Sequence, residues 1–363
     1  MSTASSSENT TVKKNLTNKT SEDLDNNQNN NKSIPVKERI TEALNRLSGL
    51  KGVEEVIKSK LTSDARLLEE IPNYLLELGG KRLRPVICLL MAKLLGMEKP
   101  NQELLDVAAG IELIHMATLL HDDIIDNSPL RRHKESPYLK YGLSSTLLAG
   151  DFLLVRAFSL CALLDDQIVA ATETACIELT EGEILETPLF AATHSVDTSI
   201  NIAKKKTASL FRLACFSAAH IVAGNEEIEK IAASFGENIG IAFQILDDIL
   251  DVTSTEDLLG KKSGIDIQER KPSIVNVLWL ESDSQLAKRL LQPETEIDQD
   301  FIEKALLELK SSAVITKAKS IAIEYADLAK KDLNELLRLI EDKESETFFD
   351  LLALVDFVLE RLN

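Results

Sequence analysis

Residues 111–126 read IELIHMATLLHDDIID, and residues 239–251 read IGIAFQILDDILD. In both stretches an apolar run ends in two adjacent aspartates followed by a third, so that the carboxylates stand at positions i, i+1 and i+4. On a helix, positions i and i+4 lie on one face and position i+1 lies beside them. Each stretch therefore predicts a buried helix that ends in three clustered carboxylates.

The rest of the chain shows the same helical spacing. From about residue 36 to residue 362, apolar residues recur every three or four positions, the pattern of successive helices that each bury one stripe. With only 14 glycines and 9 prolines in 363 residues, turns are few and the secondary-structure elements must be long. We therefore predict one all-α domain, a single large helical bundle, over residues 35–363.

The first 34 residues differ from the rest in composition. Eight of them are Asn and 11 are Ser or Thr, and no period relates the few apolar side chains. Such a segment cannot bury enough apolar surface to offset the entropy lost on ordering. We predict a disordered tail over residues 1–34.

Charge and cysteine usage exclude several classes of protein. The 41 Lys and Arg and 59 Asp and Glu give a net charge of −18, which is unfavourable for binding nucleic acid phosphates. The four cysteines lie far apart in apolar stretches, which argues against a disulfide framework or a zinc site. The start of the chain lacks the basic-then-apolar layout of a secretory signal. We expect a cytoplasmic protein that binds no nucleic acid.

The two aspartate stretches carry the clearest chemical signal. Like charges at these spacings repel by a few tenths of a kcal/mol per pair, so a cation is their natural complement. Oxygen ligands without cysteine favour magnesium or manganese, and magnesium readily shares its coordination with substrate phosphates. Either stretch alone is equally well explained as a solvated acidic helix end. Two matching stretches on apolar helices favour a metal site.

Basic residues lie close to these acids in an otherwise acidic chain. Arg131 and Arg132 follow the first stretch, and residues 79–85 place three cations around two glycines just before a predicted helix, whose N-terminal amides favour phosphate. Residues 204–207 and 260–262 add two further basic patches. Each patch alone is most simply a solvated face. Together with two metal clusters, they predict a diphosphate substrate.

In combination these motifs resemble the trans-isoprenyl (polyprenyl) diphosphate synthase family, and most of all its long-chain members. The stretch GGKRLRP at 79–85, the first DDxxD with its trailing Arg pair, Lys206-Thr207 and GIAFQILDDILD at 240–251 occur in the family's order over roughly residues 40 to 361. The resemblance implies the isoprenoid synthase fold, a helical bundle around a central apolar cavity. It also implies head-to-tail trans condensation of isopentenyl diphosphate with an allylic diphosphate.

The resemblance also implies roles for individual residues. Three magnesium ions, completed by the substrate diphosphate, would be held by Asp122, Asp123, Asp126, Asp247, Asp248 and Asp251. Isopentenyl diphosphate would be bound by Lys81, Arg84, His115 and Arg132. The allylic substrate would be bound by Arg131, Lys206, Thr207, Gln244 and Lys261. The catalytic residues would be Asp122, Asp123, Asp126, Lys206, Thr207 and Asp247.

The reaction implied by the family begins with ionisation of the allylic carbon–oxygen bond. The isopentenyl double bond attacks the cation, and the departing diphosphate takes the proton. A class I terpene cyclase also uses aspartates and metals, but 4% aromatic residues and one tryptophan disfavour it, because aromatic faces stabilise migrating cations. A non-catalytic partner subunit is disfavoured because such a subunit has no need to retain six carboxylates.

Three positions depart from the family pattern. His133 stands where glycine often follows the Arg pair, and Arg270 precedes Lys271 where Gly-Lys is usual. Glu186 stands where glutamine is common, and the sequence assigns it no chemistry. None of these departures removes a proposed metal ligand, but they leave the role of Lys271 open.

Product length depends on the floor of the pocket. By the resemblance, bulky side chains four or five residues before Asp122 stop the growing chain early, and these positions are Thr118 and Ala117. The small side chains predict an open floor and a long product, roughly six to ten isoprene units, of the kind used in quinone tails. Ile114 and Ile111 are the next candidates for the floor. Alternatively, Ala117 and Thr118 pack against another helix and the product is farnesyl or geranylgeranyl diphosphate.

The family resemblance further implies a homodimer. Broad apolar helix faces could supply its interface. A long-chain product would be a lipid, so loose membrane association through the product is expected even without a membrane anchor.

Overall fold

Helices make up nearly all the regular structure of residues 35–254, 263–340 and 346–360, which the computed structural model describes. The predicted tail (residues 1–34) and Lys261 lie outside these residues. The helices are α1 (Val36–Arg46), α2 (Gly49–Lys60), α3 (Arg66–Glu77), α4 (Leu83–Leu94), α5 (Gln102–Ile125), α6 (Pro137–Tyr141), α7 (Leu143–Cys161), α8 (Asp166–Leu185), α9 (Val196–Ala203), α10 (Ser209–Ala223), α11 (Glu226–Thr253), α12 (Ile265–Gln268), α13 (Ile274–Glu281), α14 (Gln285–Lys288), α15 (Gln299–Lys310), α16 (Ala313–Leu339) and α17 (Glu346–Glu360). The all-α prediction is confirmed.

The two long helices that carry the aspartate stretches are α5 and α11. Each begins at an asparagine cap: the Asn101 side chain accepts a hydrogen bond from Leu104 N, and the Asn225 side chain accepts from the first turn of α11. Helix α5 packs mainly against α7, and α11 packs mainly against α10 and α16. The aspartates therefore lie at the C-terminal ends of two core helices, as the apolar runs before them predict.

Local sequence explains where several of these helices begin and end. Pro85 lies in the first turn of α4, where its missing N–H costs no helical hydrogen bond. Gly96 follows the end of α4 with φ +108°, which suits glycine. Pro129 follows α5 closely, and the chain then turns back. Proline and glycine thus mark the start and end of α4 and the end of α5.

A π-helical segment, Lys204–Ala208, joins α9 to α10. It contains the predicted substrate residues Lys206 and Thr207, and π-bulges are frequent at functional sites. Gly182 on α8 packs directly against this segment, where a Cβ atom would lie only 2.7 Å from the backbone nitrogen of Lys206. Only glycine permits this approach, so Gly182 fixes how close α8 lies to the predicted substrate residues.

A two-stranded hairpin follows α5. Strand β1 (Leu130–Arg131) pairs antiparallel with β2 (Lys134–Glu135), so Arg132 and His133 form the turn. Their φ angles are +51° and +64°, the two positive values that a type I′ turn requires. His133 therefore occupies a left-handed position, the conformation that glycine adopts most readily.

Replacing His133 with glycine is expected to raise the free energy of unfolding by about 0.5–1 kcal/mol. The left-handed conformation costs a non-glycine residue roughly 1–2 kcal/mol, and the extra freedom of glycine in the unfolded chain offsets part of the gain. Urea unfolding of the wild type and the variant measures the difference. An unchanged or lower midpoint would contradict the strain argument.

Arg270→Gly is the matched control, because Arg270 also has a positive φ, +56°. Its guanidinium donates to the carbonyl oxygens of Leu290, at 3.2 Å, and Gln292, at 2.6 Å, and also to that of Thr295. Glycine would relieve the same strain but remove the Arg270 donor from all three carbonyls, of which Gln292 O would keep its hydrogen bond from Thr295 N at 3.0 Å. The control is therefore expected to lower the free energy of unfolding by roughly 2 kcal/mol or more.

Two helices of the described residues, α5 and α7, are long and apolar enough to span a membrane by length and composition. Core packing accounts for α5, since 67% of its apolar window is buried. Only 33% of the window in α7 is buried, so much of its apolar surface lies on the outside of the chain.

Candidate active site

A cavity of about 610 Å³ lies between the start of α4 and the C-terminal half of α5. Apolar side chains from α3, α5, α11 and α17 form part of its wall. Its basic side chains come from the 79–84 segment, from α5 and from the hairpin turn. They are Lys81, Arg82, Arg84, His115 and Arg132. We call this space the basic cavity.

Arg84 is a partly buried cation on the wall of the basic cavity. Its guanidinium lies 4.9 Å from the centre of the Phe211 ring, and burial lowers its pKa. Within the described part of the chain, its buried Nε has no hydrogen-bond acceptor. A buried charged donor without an acceptor is costly, and an anionic ligand would supply the missing acceptor.

His115 lies one helical turn before Leu119 on the wall of the basic cavity. Burial lowers the pKa of its imidazole well below the usual value, and the nearby positive charges of Arg84, Arg131 and Arg132 lower it further. The imidazole is therefore neutral at physiological pH. It can donate one hydrogen bond to an anion without adding charge.

Among the described residues, Glu112 and Asp247 are the carboxylates that line the basic cavity. Its side chain is 3% exposed, and its Oε1 accepts a hydrogen bond of 3.0 Å from Arg82 Nη1. Burial raises the pKa of Glu112, and the charges of Arg82, Arg84 and Arg132 oppose that rise. Neither Glu112 nor Arg82 is among the site residues predicted from sequence.

A second, smaller cavity of about 160 Å³ lies beside the C-terminal end of α11. Five carboxylates and two lysines line it, so acidic groups outnumber basic ones. The charged residues that line it are Glu186, Lys206, Asp247, Asp248, Asp251, Asp266 and Lys271. We call this space the acidic cavity. Gln244 and Asp247 line both cavities, so the two spaces meet at the end of α11.

The three aspartates of the first stretch have different surroundings. Asp123 is buried, and both of its carboxylate oxygens accept from Arg131 Nε, at 2.9 and 2.8 Å. Asp126 accepts from Lys271 Nζ at 3.0 Å. Burial raises the pKa of Asp122 to about 7, and the nearby carboxylates of Glu183 and Asp126 add to that rise. Asp123 thus orients Arg131, whereas Asp122 and Asp126 are partly exposed.

The three aspartates of the second stretch also differ in their surroundings. Asp248 accepts from the backbone N–H of Ile274 at 3.0 Å and from Gln244 Nε2 at 2.9 Å. Asp251 accepts from the backbone N–H of Ile265 and Asp266, at 3.3 and 3.1 Å. Both side chains hold backbone after α11 in place and still line the acidic cavity, whereas Asp247 is partly exposed at the meeting of the two cavities.

The side chains of Lys206 and Thr207 extend from the π-helical segment into different cavities. Lys206 lines the acidic cavity, and its Nζ lies 2.7 Å from Glu183 and 2.6 Å from Glu186. Burial opposes the charged form, but Glu186, Asp122 and Glu183 raise the pKa of Lys206 above its usual value. Thr207 lines the basic cavity and donates to Gln244 Oε1 at 2.5 Å.

Magnesium fits this distribution of carboxylates. Burial raises the pKa of both Asp122 and Asp248, and a bound cation would favour the charged form of each carboxyl group. Within the described ranges, no three His, Cys, Asp or Glu side chains converge on a single point. Each ion would therefore have one or two carboxylate ligands and take its others from water and substrate, which is the usual arrangement for magnesium.

The structure brings the predicted substrate residues together in two groups. Lys81, Arg84, His115 and Arg132 share the basic cavity, and Lys206 lies with the second aspartate stretch in the acidic cavity. Lys261 lies outside the described residues. Of the predicted floor residues, Ala117 is 0% and Ile114 1% exposed, whereas Thr118 is partly exposed, as are His115 and Asp122 on either side of it.

The acidic cavity also contains groups that the sequence left without a role. Lys271 Nζ lies 3.0 Å from Asp126, 2.9 Å from Glu269 and 3.6 Å from Glu186. Glu186 therefore contacts both lysines of the acidic cavity. Glu183 lies in the last turn of α8 and Glu186 directly follows the helix, so their proximity is a signal available from the sequence. The partner lysines, distant in sequence, could not be identified that way.

The chain is similar in sequence to known prenyl diphosphate synthases. A family model described as polyprenyl synthetase matches residues 65–309. The all-trans-nonaprenyl-diphosphate synthase (geranyl-diphosphate specific) of Rhodobacter capsulatus is 39% identical over 227 residues, which are 61% of this chain and 68% of that protein. The geranylgeranyl diphosphate synthase of Methanosarcina mazei is 30% identical over 302 residues, 81% of this chain and 90% of that protein.

Solved structures show the same fold. The crystal structure of a polyprenyl synthase from Caulobacter crescentus, complexed with calcium and isoprenyl diphosphate, matches with a TM-score of 0.79 at 28% identity, covering 90% of this chain and 97% of that one. The isoprenoid synthase fold expected from the motifs is confirmed. Because the family model spans both aspartate stretches and most of the chain, this protein belongs to the polyprenyl synthetase family of prenyltransferases.

Proposed function

We propose that this protein is a magnesium-dependent polyprenyl diphosphate synthase, which condenses isopentenyl diphosphate with an allylic diphosphate and releases a long-chain product for quinone side chains. One domain spanning residues 35–363 carries the activity. The protein works in the cytoplasm, with loose membrane association through its lipid product.

The observation that carries this proposal is the meeting of two differently charged cavities at Gln244 and Asp247. Condensation requires two diphosphate substrates side by side, with only one of them losing its diphosphate. The basic cavity suits isopentenyl diphosphate, whose diphosphate stays attached, because its cations bind an anion directly. The acidic cavity suits the allylic diphosphate, because its carboxylates require metal ions between themselves and the substrate.

The residues around the meeting point support ionisation of the allylic substrate. Magnesium, when bound, neutralises charge that develops on the departing diphosphate. Lys206 and Arg131 add fixed positive charge on the same side, and both are already oriented by carboxylates, so little reorganisation is needed. Thr207 and Gln244 lie between the cavities, where their oxygens can stabilise the allylic cation.

Incubation with magnesium, radiolabelled isopentenyl diphosphate and farnesyl diphosphate, followed by chromatography of the dephosphorylated products, tests the proposal. A ladder of products that ends beyond about C25 is the expected result. Products that stop at C15 to C20 with shorter primers would establish the short-chain alternative, which the similarity to a geranylgeranyl diphosphate synthase keeps open. Absence of condensation with any primer would contradict the function.

The same assay separates the remaining alternatives. Release of a hydrocarbon from the allylic primer alone would identify a terpene cyclase. Activity that appears only when another synthase subunit is added would identify a partner subunit. The packing of Lys206, Thr207 and Gln244 around the meeting point supports an active enzyme, since a subunit without catalysis has no use for it.

We further infer that the protein is a homodimer. Large apolar side chains are exposed along two consecutive helices, α7 and α8, and the two most exposed in each helix stand seven residues apart. They include Leu148 (58%), Val155 (65%), Phe158 (44%), Ile177 (51%) and Ile184 (73%). Extended apolar surface of this kind marks an interaction surface, and a second copy of the chain would cover it.

Sedimentation equilibrium is expected to give about twice the chain mass of 40.1 kDa. Replacing both Leu148 and Val155 with aspartate should produce a monomer, because four buried charges per interface would be unpaired. Leu307→Asp is the control, since Leu307 is 74% exposed on α15, away from this surface. A wild-type monomer, or a dimer that survives the double substitution, would contradict the assignment.

A further inference from the structure

Glu112 is an unusual residue for the middle of an apolar run. It is 2% exposed and lies on α5 among buried aliphatic neighbours, ten residues before Asp122. A carboxylate is almost never buried so fully unless it is paired. Its direct partner is Arg82, whose Nη1 donates to Glu112 Oε1 at 3.0 Å.

Arg82 lies at a sharp turn of the backbone. It directly precedes α4 with φ +49°, and Gly79 and Gly80 before it also have positive φ angles. Its guanidinium folds back against this turn: Nη2 donates to Leu76 O at 3.5 Å, while Nη1 reaches Glu112. One side chain therefore joins the end of α3, the turn and α5.

This turn presents the cations of the basic cavity. Lys81 and Arg84 flank Arg82 in the chain, and both line the cavity. Gly80 leaves room for the guanidinium groups, since a Cβ atom there would lie 3.1 Å from both terminal nitrogens of Arg132 and 3.3 Å from Arg82 Nη1. Several cationic side chains thus crowd a short turn, and their orientation depends on a fixed acceptor that holds Arg82 in place.

We propose that Glu112 is a positioning residue for isopentenyl diphosphate: its carboxylate anchors Arg82 and thereby holds the 79–84 turn so that Lys81 and Arg84 face the bound diphosphate. This inference rests on the proposed function, because it names the substrate of the basic cavity. Glu112 itself does not contact the substrate. It acts through Arg82.

Two variants distinguish a role that depends on the position of the Glu112 carboxylate from a role that depends on its charge. Glu112→Asp keeps the negative charge but withdraws the carboxylate by one methylene, so it loses the contact with Arg82. Glu112→Gln removes the charge but keeps the length and an oxygen that can accept from Arg82 Nη1. If Glu112 acted only as a negative charge beside an anion site, Glu112→Gln would tighten binding and Glu112→Asp would leave it unchanged.

Isothermal titration of isopentenyl diphosphate into each purified variant in the presence of magnesium gives the test. Positioning predicts that Glu112→Asp weakens binding about tenfold or more, and that Glu112→Gln stays within about threefold of the wild type. The Kd for the allylic diphosphate should remain within about twofold in both variants. Thermal unfolding establishes that each variant is folded.

Asp332→Asn is the control for a general loss of stability. Asp332 accepts from Ser234 Oγ at 2.7 Å and Asn238 Nδ2 at 2.8 Å, and so links α16 to α11 away from the basic cavity. Its substitution should lower stability and leave both Kd values unchanged. Equal Kd values for isopentenyl diphosphate in Glu112→Asp and the wild type would overturn the inference about Glu112 but not the proposed function. A wild type that does not bind isopentenyl diphosphate would overturn the proposed function.

Discussion

Asp122→Asn is expected to lower kcat/KM for condensation by about a thousandfold, roughly 4 kcal/mol of transition-state stabilisation. Asp122 is partly exposed, and burial raises its pKa to about 7, so without a metal ion it is a poorly compensated anion. An amide keeps the shape of the side chain but is a far weaker ligand for magnesium. The effect should be accompanied by a large rise in the magnesium concentration needed for half-maximal rate.

The stability of the variant separates loss of a ligand from loss of the fold. Because the folded-state pKa of Asp122 lies above its usual value, this carboxyl destabilises the metal-free protein increasingly as pH rises from about 4 to about 7. Asp122→Asn lacks that penalty. At pH 8 without magnesium, the variant should therefore unfold at the same temperature as the wild type or a higher one.

Glu103→Gln is the matched control for Asp122→Asn. Glu103 lies in the first turn of the same helix, α5, far from both cavities. Its substitution should change stability by no more than about 1 kcal/mol and leave kcat/KM and the magnesium requirement unchanged. An Asp122→Asn enzyme with wild-type magnesium dependence would contradict the assignment of Asp122 as a metal ligand.

The aspartate stretches could be located from the sequence because the signal is local. Residues at i and i+4 share a helix face, and i+1 lies beside them, whatever the rest of the chain does. What could not be predicted is which aspartates of each stretch bind other groups of the protein and which stay partly exposed. Asp123 is committed to Arg131 and Asp251 to the backbone after α11, and both contacts depend on how loops fold back.

The ion pairs of the acidic cavity also could not be predicted from the sequence. Lys206, Lys271 and Glu186 are far apart in the chain, and no periodicity links them. Their contacts depend on the π-helical segment and on the close approach of α8 at Gly182. The sequence therefore left Glu186 without a role and that of Lys271 open, although both line the cavity.

The backbone angles at two positions that depart from the family pattern show what glycine would change there. His133 and Arg270 both stand where glycine is usual, and both have positive φ. The sequence alone shows only that glycine is absent. The structure adds that His133 lies in an exposed turn, whereas the Arg270 side chain binds three carbonyl groups and so offsets the strain.

Thr118→Phe is expected to shorten the product from a long chain to about C15–C20. Thr118 lies one turn before Asp122 on α5, and it is partly exposed along the same stripe as His115 and Asp122. A chain that grows from the allylic site would pass beside this position. A phenyl ring there would occupy that space, and the rate of the first condensation should change little because no charged group is altered.

Ala117→Phe, the other substitution suggested by the sequence, is expected to behave differently. Ala117 is 0% exposed, so a phenyl ring must displace packed neighbours at a cost of about 1–3 kcal/mol. Its effect on product length would therefore be mixed with a loss of stability. Thr118 offers the cleaner test of the floor, although both positions remain candidates.

Product chromatography under identical substrate ratios compares Thr118→Phe with Thr118→Val, which is the control. Valine removes the hydroxyl that donates to His115 O at 2.8 Å but adds almost no volume. If volume sets chain length, the valine variant makes the wild-type product and the phenylalanine variant makes the short one. A shift with valine would instead implicate the hydroxyl, and wild-type length with phenylalanine would place Thr118 outside the path of the growing chain.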